Sequence, residues 1–150
     1  MSKSLATNKR AKFDYNILKT FEAGLVLKGY EVKAVKNGKM SLKGAYVVLK
    51  NNEAFLINAS ISPYQPKNTP DDYDCERSRK LLLHQQEIKH LMGKNKEKGL
   101  TLVALKVYTK KGRIKLEFGI AKGKRKSDKR EVIKEREAKR EIRRKLKKRF

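Results

Sequence analysis

Few side chains in this 150-residue chain are spaced for covalent or metal chemistry. His84 and His90 are six apart, so on a helix they diverge further than the i, i+4 spacing of a zinc-binding pair allows. Cys75 has no second cysteine, which removes both an internal disulfide and the Cys/His spacing of a structural metal site. Asp71, Asp72, Asp74 and Glu76 could in principle hold Mg²⁺ for phosphoryl chemistry, as in a nuclease. They lie in a proline-bounded loop where a two-metal site would be poorly held, so solvated loop acids are the better reading. Gly119-Ile-Ala-Lys-Gly123-Lys124 has three residues between its glycines where a phosphate-binding loop has four, and Arg125 where that loop has Ser or Thr. The sequence therefore predicts no catalytic residue, no metal ligand and no cofactor. It does not predict an enzyme.

Charge points elsewhere. A net charge of +24 and a pI near 10.2 make a self-repelling surface that calls for a polyanionic partner. RNA is the leading candidate and an anionic membrane surface the second. No apolar run reaches the ~18 residues of a spanning helix, and Met1 to Arg10 lacks the hydrophobic stretch of a secretory signal. With a single cysteine, a reducing, cytoplasmic setting fits. The length suits one domain plus a tail.

The elements that must position the charges are arranged around Arg77-Ser-Arg-Lys-Leu-Leu-Leu-His84. Basic residues lead into a Leu triplet, then into a helix with Ile88, Leu91 and Met92 on one face and Gly93 or Gly99 as its stop. Residues 1–12 carry four basic residues and no acid and read as an arm. Asn8, Lys9 and Arg10 there suit phosphate contacts, although a solvated terminus is the commoner outcome for such a composition. Phe13 to Leu27 has strand content, with Gly24 marking a bulge or a close approach of another backbone. Leu27 to Lys36 has helical spacing and ends at Asn37-Gly38. Ala45 to Lys50 and Glu53 to Ile61 form a hairpin about Asn51-Asn52. Residues 62–76 hold all three prolines and four acids and predict a loop.

Leu100 to Thr109 is apolar on nearly every residue, as in a strand packed on both faces, and Lys110-Lys111-Gly112 turns the chain. Ile114, Leu116, Phe118 and Ile120 then alternate with Arg113, Lys115, Glu117 and Gly119, the cleanest strand signal present. Five strand regions with a helix between the third and fourth predict a mainly β fold, an OB-like closed barrel with added helices. The helix would plug one end, and the basic lead-in would place positive charge at the barrel's mouth. Tyr15, Tyr30, Tyr64 and Tyr108 could stack on bases, though most tyrosines in a domain this size fill core or rim.

Residues 122–150 hold 16 Lys and Arg against 5 Asp and Glu, which is +11 of the chain's total. Ala138, Ile142, Leu146 and Phe150 recur at intervals of four and make a narrow stripe. Glu135 with Lys139 and Glu141 with Lys145 favour helix by only ~0.2–0.5 kcal/mol each. Repulsion among the remaining cations should outweigh that, so the sequence predicts a tail disordered when free and helical along a polyanion.

Several short motifs, in order and spanning about Thr7 to the tail, resemble the small protein B (SmpB) family, the SsrA- or transfer-messenger-RNA-binding proteins of bacterial trans-translation. They are Asn8-Lys-Arg-Ala11, Phe21-Glu-Ala-Gly24, Gly29-Tyr-Glu-Val-Lys33, Arg79-Lys-Leu-Leu-Leu-His84, Lys98-Gly-Leu-Thr-Leu-Val103 and Gly119-Ile-Ala-Lys-Gly-Lys124. Asp128-Lys-Arg130 and Ile133-Lys-Glu-Arg136 complete the set. The resemblance implies an OB-type barrel over 13–121 that binds the transfer-RNA-like domain of transfer-messenger RNA near its elbow. It assigns that contact to Asn8, Lys9, Glu22, Leu82 and His84, with Arg10 beside them, and gives Lys122 and Lys124 to phosphates.

The resemblance further implies a tail over 122–150 that becomes helical in the empty messenger channel of a stalled ribosome, near the decoding centre. The tail residues it singles out are Asp128, Lys129, Arg130, Ile142 and Leu146. Ser127 stands where some members have a histidine proposed to stack there. The implied function is ribosome rescue, in which the nascent chain is tagged for degradation, by a protein that is monomeric when free and not membrane-bound. The alternative is a generic ribosomal or single-strand RNA-binding OB protein, with little preference for a folded ligand.

Overall fold

A computed structural model describes residues 3–124 and 126–149; side chains at 126–129, 131, 132 and 145–149 lie outside that description. The elements in chain order are β1 (Lys3–Thr7), α1 (Ala11–Asp14), β2 (Tyr15–Leu25), α2 (Gly29–Lys36), β3 (Met40–Ser41), β4 (Tyr46–Lys50), β5 (Glu53–Ile57) and β6 (Ser60–Ile61). After them come β7 (Arg79–Leu82), α3 (Gln85–Asn95), β8 (Leu100–Lys110), β9 (Arg113–Gly123) and α4 (Lys126–Arg149). The fold is mainly β with several helices.

Alternation builds the last hairpin. Ile114, Leu116, Phe118 and Ile120 of β9 point into the core, while Lys115 and Glu117 stay half-exposed on the other side. The turn to β8 is Lys111-Gly112, with φ of 51° and 76°, as a two-residue hairpin of right-handed twist requires. Asn51 and Asn52 make the same kind of turn between β4 and β5, at φ of 52° and 60°. The main sheet runs β1-β8-β4-β5-β7-β2-β9, all pairs antiparallel, and β9 pairs back onto β8. β3 and β6 form a separate two-stranded ladder. The larger of two buried clusters, with Leu56, Leu81, Leu102, Leu116 and Phe118 fully buried, is covered by Val35 of α2 and Leu91 of α3, and a smaller one joins Ala11, Val103, Leu105 and Ala121.

Several local expectations change. The first residues form an edge strand where the sequence predicts an arm. Lys3↔Thr109 and Thr7↔Lys106 bound the pairing of β1 with β8, so long-range backbone bonds, with Leu5 and Ala6 packed on the core, order this segment. Among the described residues, five strand regions become nine strands, because β1, β3, β6 and β7 are too short to show a period. The bulge in β2 falls at Leu18, between the pairs Ile17↔Ala121 and Lys19↔Ile120, and not at Gly24. Gly93 lies inside α3, which runs on to Asn95. A short 3-10 turn, Pro66–Asn68, interrupts the predicted loop. Residues Lys126–Arg149 form a helix.

The largest correction concerns the basic lead-in. Arg79 is fully buried and Arg77 half-buried, and both bind Glu31, itself fully buried in α2. Arg79 Nη2 donates to Glu31 Oε2 at 2.8 Å and to the Cys75 carbonyl at 2.9 Å, and its Nη1 donates to the Ala59 carbonyl at 2.7 Å. These cations therefore clamp the proline-rich loop to the core instead of facing solvent. Arg79 cannot serve a barrel mouth.

Candidate nucleic-acid interface

The predicted RNA-contacting residues fall in two separate groups, one around Glu22 of β2 and Leu82 of β7, the other around Asn8 and the end of β9. Leu82 lies opposite Gly24 in the β2–β7 ladder; Glu22 stands two residues before Gly24 on β2, and His84 follows the end of β7 in the link to α3. Glu22, Leu82 and His84 are all exposed, Leu82 at 58%. At Gly24 the close neighbour is a side chain and not another backbone: a Cβ there would lie 3.3 Å from the Leu82 Cβ. This keeps the β2 surface flat beneath the exposed leucine. His84 also precedes α3, where its backbone N–H donates to Glu87 Oε1 at 3.3 Å.

The second group gathers at the start of β2. Asn8 donates twice to β8, from its backbone N–H to the Leu105 carbonyl at 2.7 Å and from Nδ2 to the Ala104 carbonyl at 2.9 Å. Its amide donor thus fastens the chain, and Lys9 and Arg10 project from the fastened segment into solvent. Lys122 pairs in register with Asn16, and the Lys124 backbone N–H donates to the Asp14 carbonyl at 2.9 Å. Arg10, Asp14, Tyr15, Tyr46 and Thr101 line a neighbouring cavity of about 350 Å³. Six residue steps along β2 lead from Asn16 to Glu22, about 20 Å of extended chain. The eight predicted RNA contacts thus form two patches.

Around Glu22 lie residues that sequence reading assigned no role there. Glu22 faces Glu117 across β9, and Glu117 in turn faces Lys106 on β8, with a 3.5 Å ion pair. Tyr108, one step along β8, reaches over β9 and donates its hydroxyl hydrogen bond to Glu22 Oε2. Lys110 Nζ lies 3.4 Å from both Glu22 oxygens. The Tyr108 hydrogen bond, opposed by burial and aided by Lys110 and Lys115, holds the Glu22 carboxyl below the usual range. Burial, with the hydrogen bond to Glu22, raises the phenol of Tyr108. Tyr108 is only 9% exposed, so it is not available for stacking on a base. Its partnership with Glu22 has no local signal, since β8 is apolar on nearly every residue and meets β2 only across β9.

The tail helix meets the body at α1. Arg136 of α4 lies 5.6 Å from the centre of the Phe13 ring, and Arg10 lies 4.9 Å from the same ring. Arg130 and Ile142 are exposed on α4, Ile142 at 59%. The side chains of Asp128, Lys129 and Leu146 lie outside the described residues. Among the described residues no group of three or more His, Cys, Asp or Glu is arranged to hold a metal ion. No described helix is long and apolar enough to cross a membrane.

A family model described as SmpB protein matches residues 5–148. The SsrA-binding protein of Persephonella marina is 52% identical over 145 residues, covering 97% of this chain and 95% of its own. The SsrA-binding protein of Thermosynechococcus vestitus is 49% identical over 147 residues, covering 98% and 97%. That of Geobacillus thermodenitrificans is 51% identical over 142 residues, covering 95% and 91%. A solved structure, "tmRNA-SmpB: a journey to the center of the bacterial ribosome", superposes with a TM-score of 0.67 at 44% identity, covering 85% of this chain and 92% of its own.

Proposed function

The chain belongs to the SmpB family, and from that membership we propose that it is the RNA-binding adaptor of trans-translation. It binds the transfer-RNA-like domain of transfer-messenger RNA and delivers it to stalled ribosomes in the bacterial cytoplasm. Its tail, 122–150, then probes the empty messenger channel, so that the nascent chain is tagged for degradation. It acts by binding, without catalysis. The circuit of strand pairs from β8 through β4, β5, β7, β2 and β9 back to β8 supports an OB-type closed barrel as the RNA-reading body. β1, from the proposed arm, is laid along that body.

The observation that carries the reading is an oriented carboxylate beside an exposed leucine and histidine on a strongly cationic protein. A carboxylate next to RNA adds nothing to charge attraction, so its value lies in accepting hydrogen bonds from chosen base or ribose donors. Lys9, Arg10, Lys122 and Lys124, about 20 Å away along β2, suit phosphates, which position without specifying. Two patches so spaced fit a folded RNA better than a short single strand.

Competition binding tests this near physiological salt, where unspecific attraction is partly screened. The labelled transfer-RNA-like domain should survive a large excess of unstructured RNA. Equal displacement by any RNA would reduce the chain to a general cation and favour the generic RNA-binding alternative.

A further inference from the structure

We infer that Tyr108 and Lys110 are positioning residues for RNA recognition: they fix the direction of the Glu22 carboxylate without touching RNA themselves. The inference rests on the proposed role of Glu22 as an RNA contact.

The geometry is specific. Glu22 stands on β2 and Tyr108 on β8, two strand spacings apart with β9 between them, a gap of about 9–10 Å. A phenol is long enough to cross β9 between Lys115 and Glu117 and still present its hydroxyl to the carboxylate. Lys106 Nζ lies 5.4 Å from the Tyr108 ring centre and helps hold the ring down. A free glutamate on an exposed strand would sample several rotamers and lose that freedom on binding. This one is already held by a donor on one oxygen and an ammonium on both.

Lys115 adds positive potential from β9, while Glu117, directly opposite, would repel the carboxylate were it not paired with Lys106. On the β7 side the neighbours are Leu82 and, beyond it, the exposed His84. No described contact of Tyr108 needs RNA. Its hydroxyl serves the acceptor, and the Glu22 side chain stays partly exposed.

A double-mutant cycle on the full chain reads this directly. Tyr108→Phe, Glu22→Gln and the double variant would be titrated with the transfer-RNA-like domain and with unstructured RNA at one fixed salt concentration. Tyr108→Phe should weaken the folded ligand by about tenfold and leave unstructured RNA unchanged. In the Glu22→Gln background the same change should add less than twofold, because the two side chains act as one unit. The acid limb of folded-RNA binding should also move to higher pH in Tyr108→Phe, since losing the hydroxyl lets the carboxylate protonate sooner.

Full affinity in Tyr108→Phe, or an undiminished loss on top of Glu22→Gln, overturns the positioning role while leaving Glu22 a contact. If Glu22→Gln itself binds like wild type, the contact reading falls and the positioning role falls with it. Should Tyr108→Phe melt well below wild type, Lys110→Met, at a half-exposed position, carries the same cycle with the same two outcomes.

Discussion

A carboxylate without solvent keeps its charge only if donors and cations replace the lost water. Glu31 meets that condition through Arg77, Arg79, Tyr73 and the Lys28 backbone N–H, the last at 2.9 Å. Burial pushes its carboxyl up, but the hydrogen bonds from Arg77, Lys28 and Arg79 and the charge of Arg79 more than offset this and leave it below the usual range. Burial and the Glu31 charge push Tyr73 up to about 12, so it stays a donor at all ordinary pH values. Glu31→Gln leaves two arginines with no counter-charge and should cost about 3–5 kcal/mol, read as a lower urea midpoint near neutral pH. The pH dependence follows from the depressed folded value. Glu31 contributes fully above its unfolded pKa of about 4.3 and loses its contribution as pH falls through the folded value. Stability of Glu31→Gln should therefore fall less steeply than wild type between about pH 5 and 3. Parallel acid limbs for the two proteins would mean that Glu31 is not the group being titrated.

At the level of elements, the β2 bulge and Gly119 are one device. The extra residue Leu18 turns the strand so that a Cβ on Gly119 would lie 2.9 Å from Ile17 Cγ2 and 3.1 Å from the Lys19 carbonyl oxygen. A backbone oxygen cannot rotate away, so Gly119→Ala should destabilise the fold by about 1–3 kcal/mol in urea melts. Gly123→Ala, with nothing within 4 Å, should stay within about 0.5 kcal/mol of wild type. Equal effects at both positions would show that glycine entropy, not contact, sets the cost. The β8–β9 and β4–β5 hairpins, α2 and the apolar face of α3 were legible because each carries its own period or turn chemistry within a dozen residues. β1 was not legible, since its order comes from β8 a hundred residues away. Neither was the fate of Arg79, since a basic residue reads as exposed until its buried partner 48 residues earlier is known. The site split the same way: Glu22, Leu82 and His84 came from motif resemblance, whereas Tyr108 and Lys110 join them only through strand order.

For the whole molecule, charge is divided between body and tail. The tail concentrates +11 of the net +24 in residues 122–150, and among the described contacts α4 meets the body at α1. A helix with that much like charge and so few apolar residues has little of its own to hold it, since most helical stability in proteins comes from a packed apolar face. The few Glu–Lys pairs add only tenths of a kcal/mol each. The helix should therefore depend on counter-charge. An isolated 122–150 peptide is expected to give a coil-like circular dichroism spectrum at low salt and to become helical when RNA is added. High helicity without RNA would sink that expectation. In the full chain, truncation after Gly123 should spare selective binding of the transfer-RNA-like domain, flatten the salt dependence of binding by removing phosphate-neutralising cations, and abolish tagging on stalled ribosomes. These outcomes would separate the two polyanions of the proposed function: a body, carrying Glu22, that discriminates one RNA fold, and a tail that supplies charge and length to a channel. If the truncated chain loses the folded ligand while still binding unstructured RNA, discrimination resides in the tail, and the two patches of the body are supports for it.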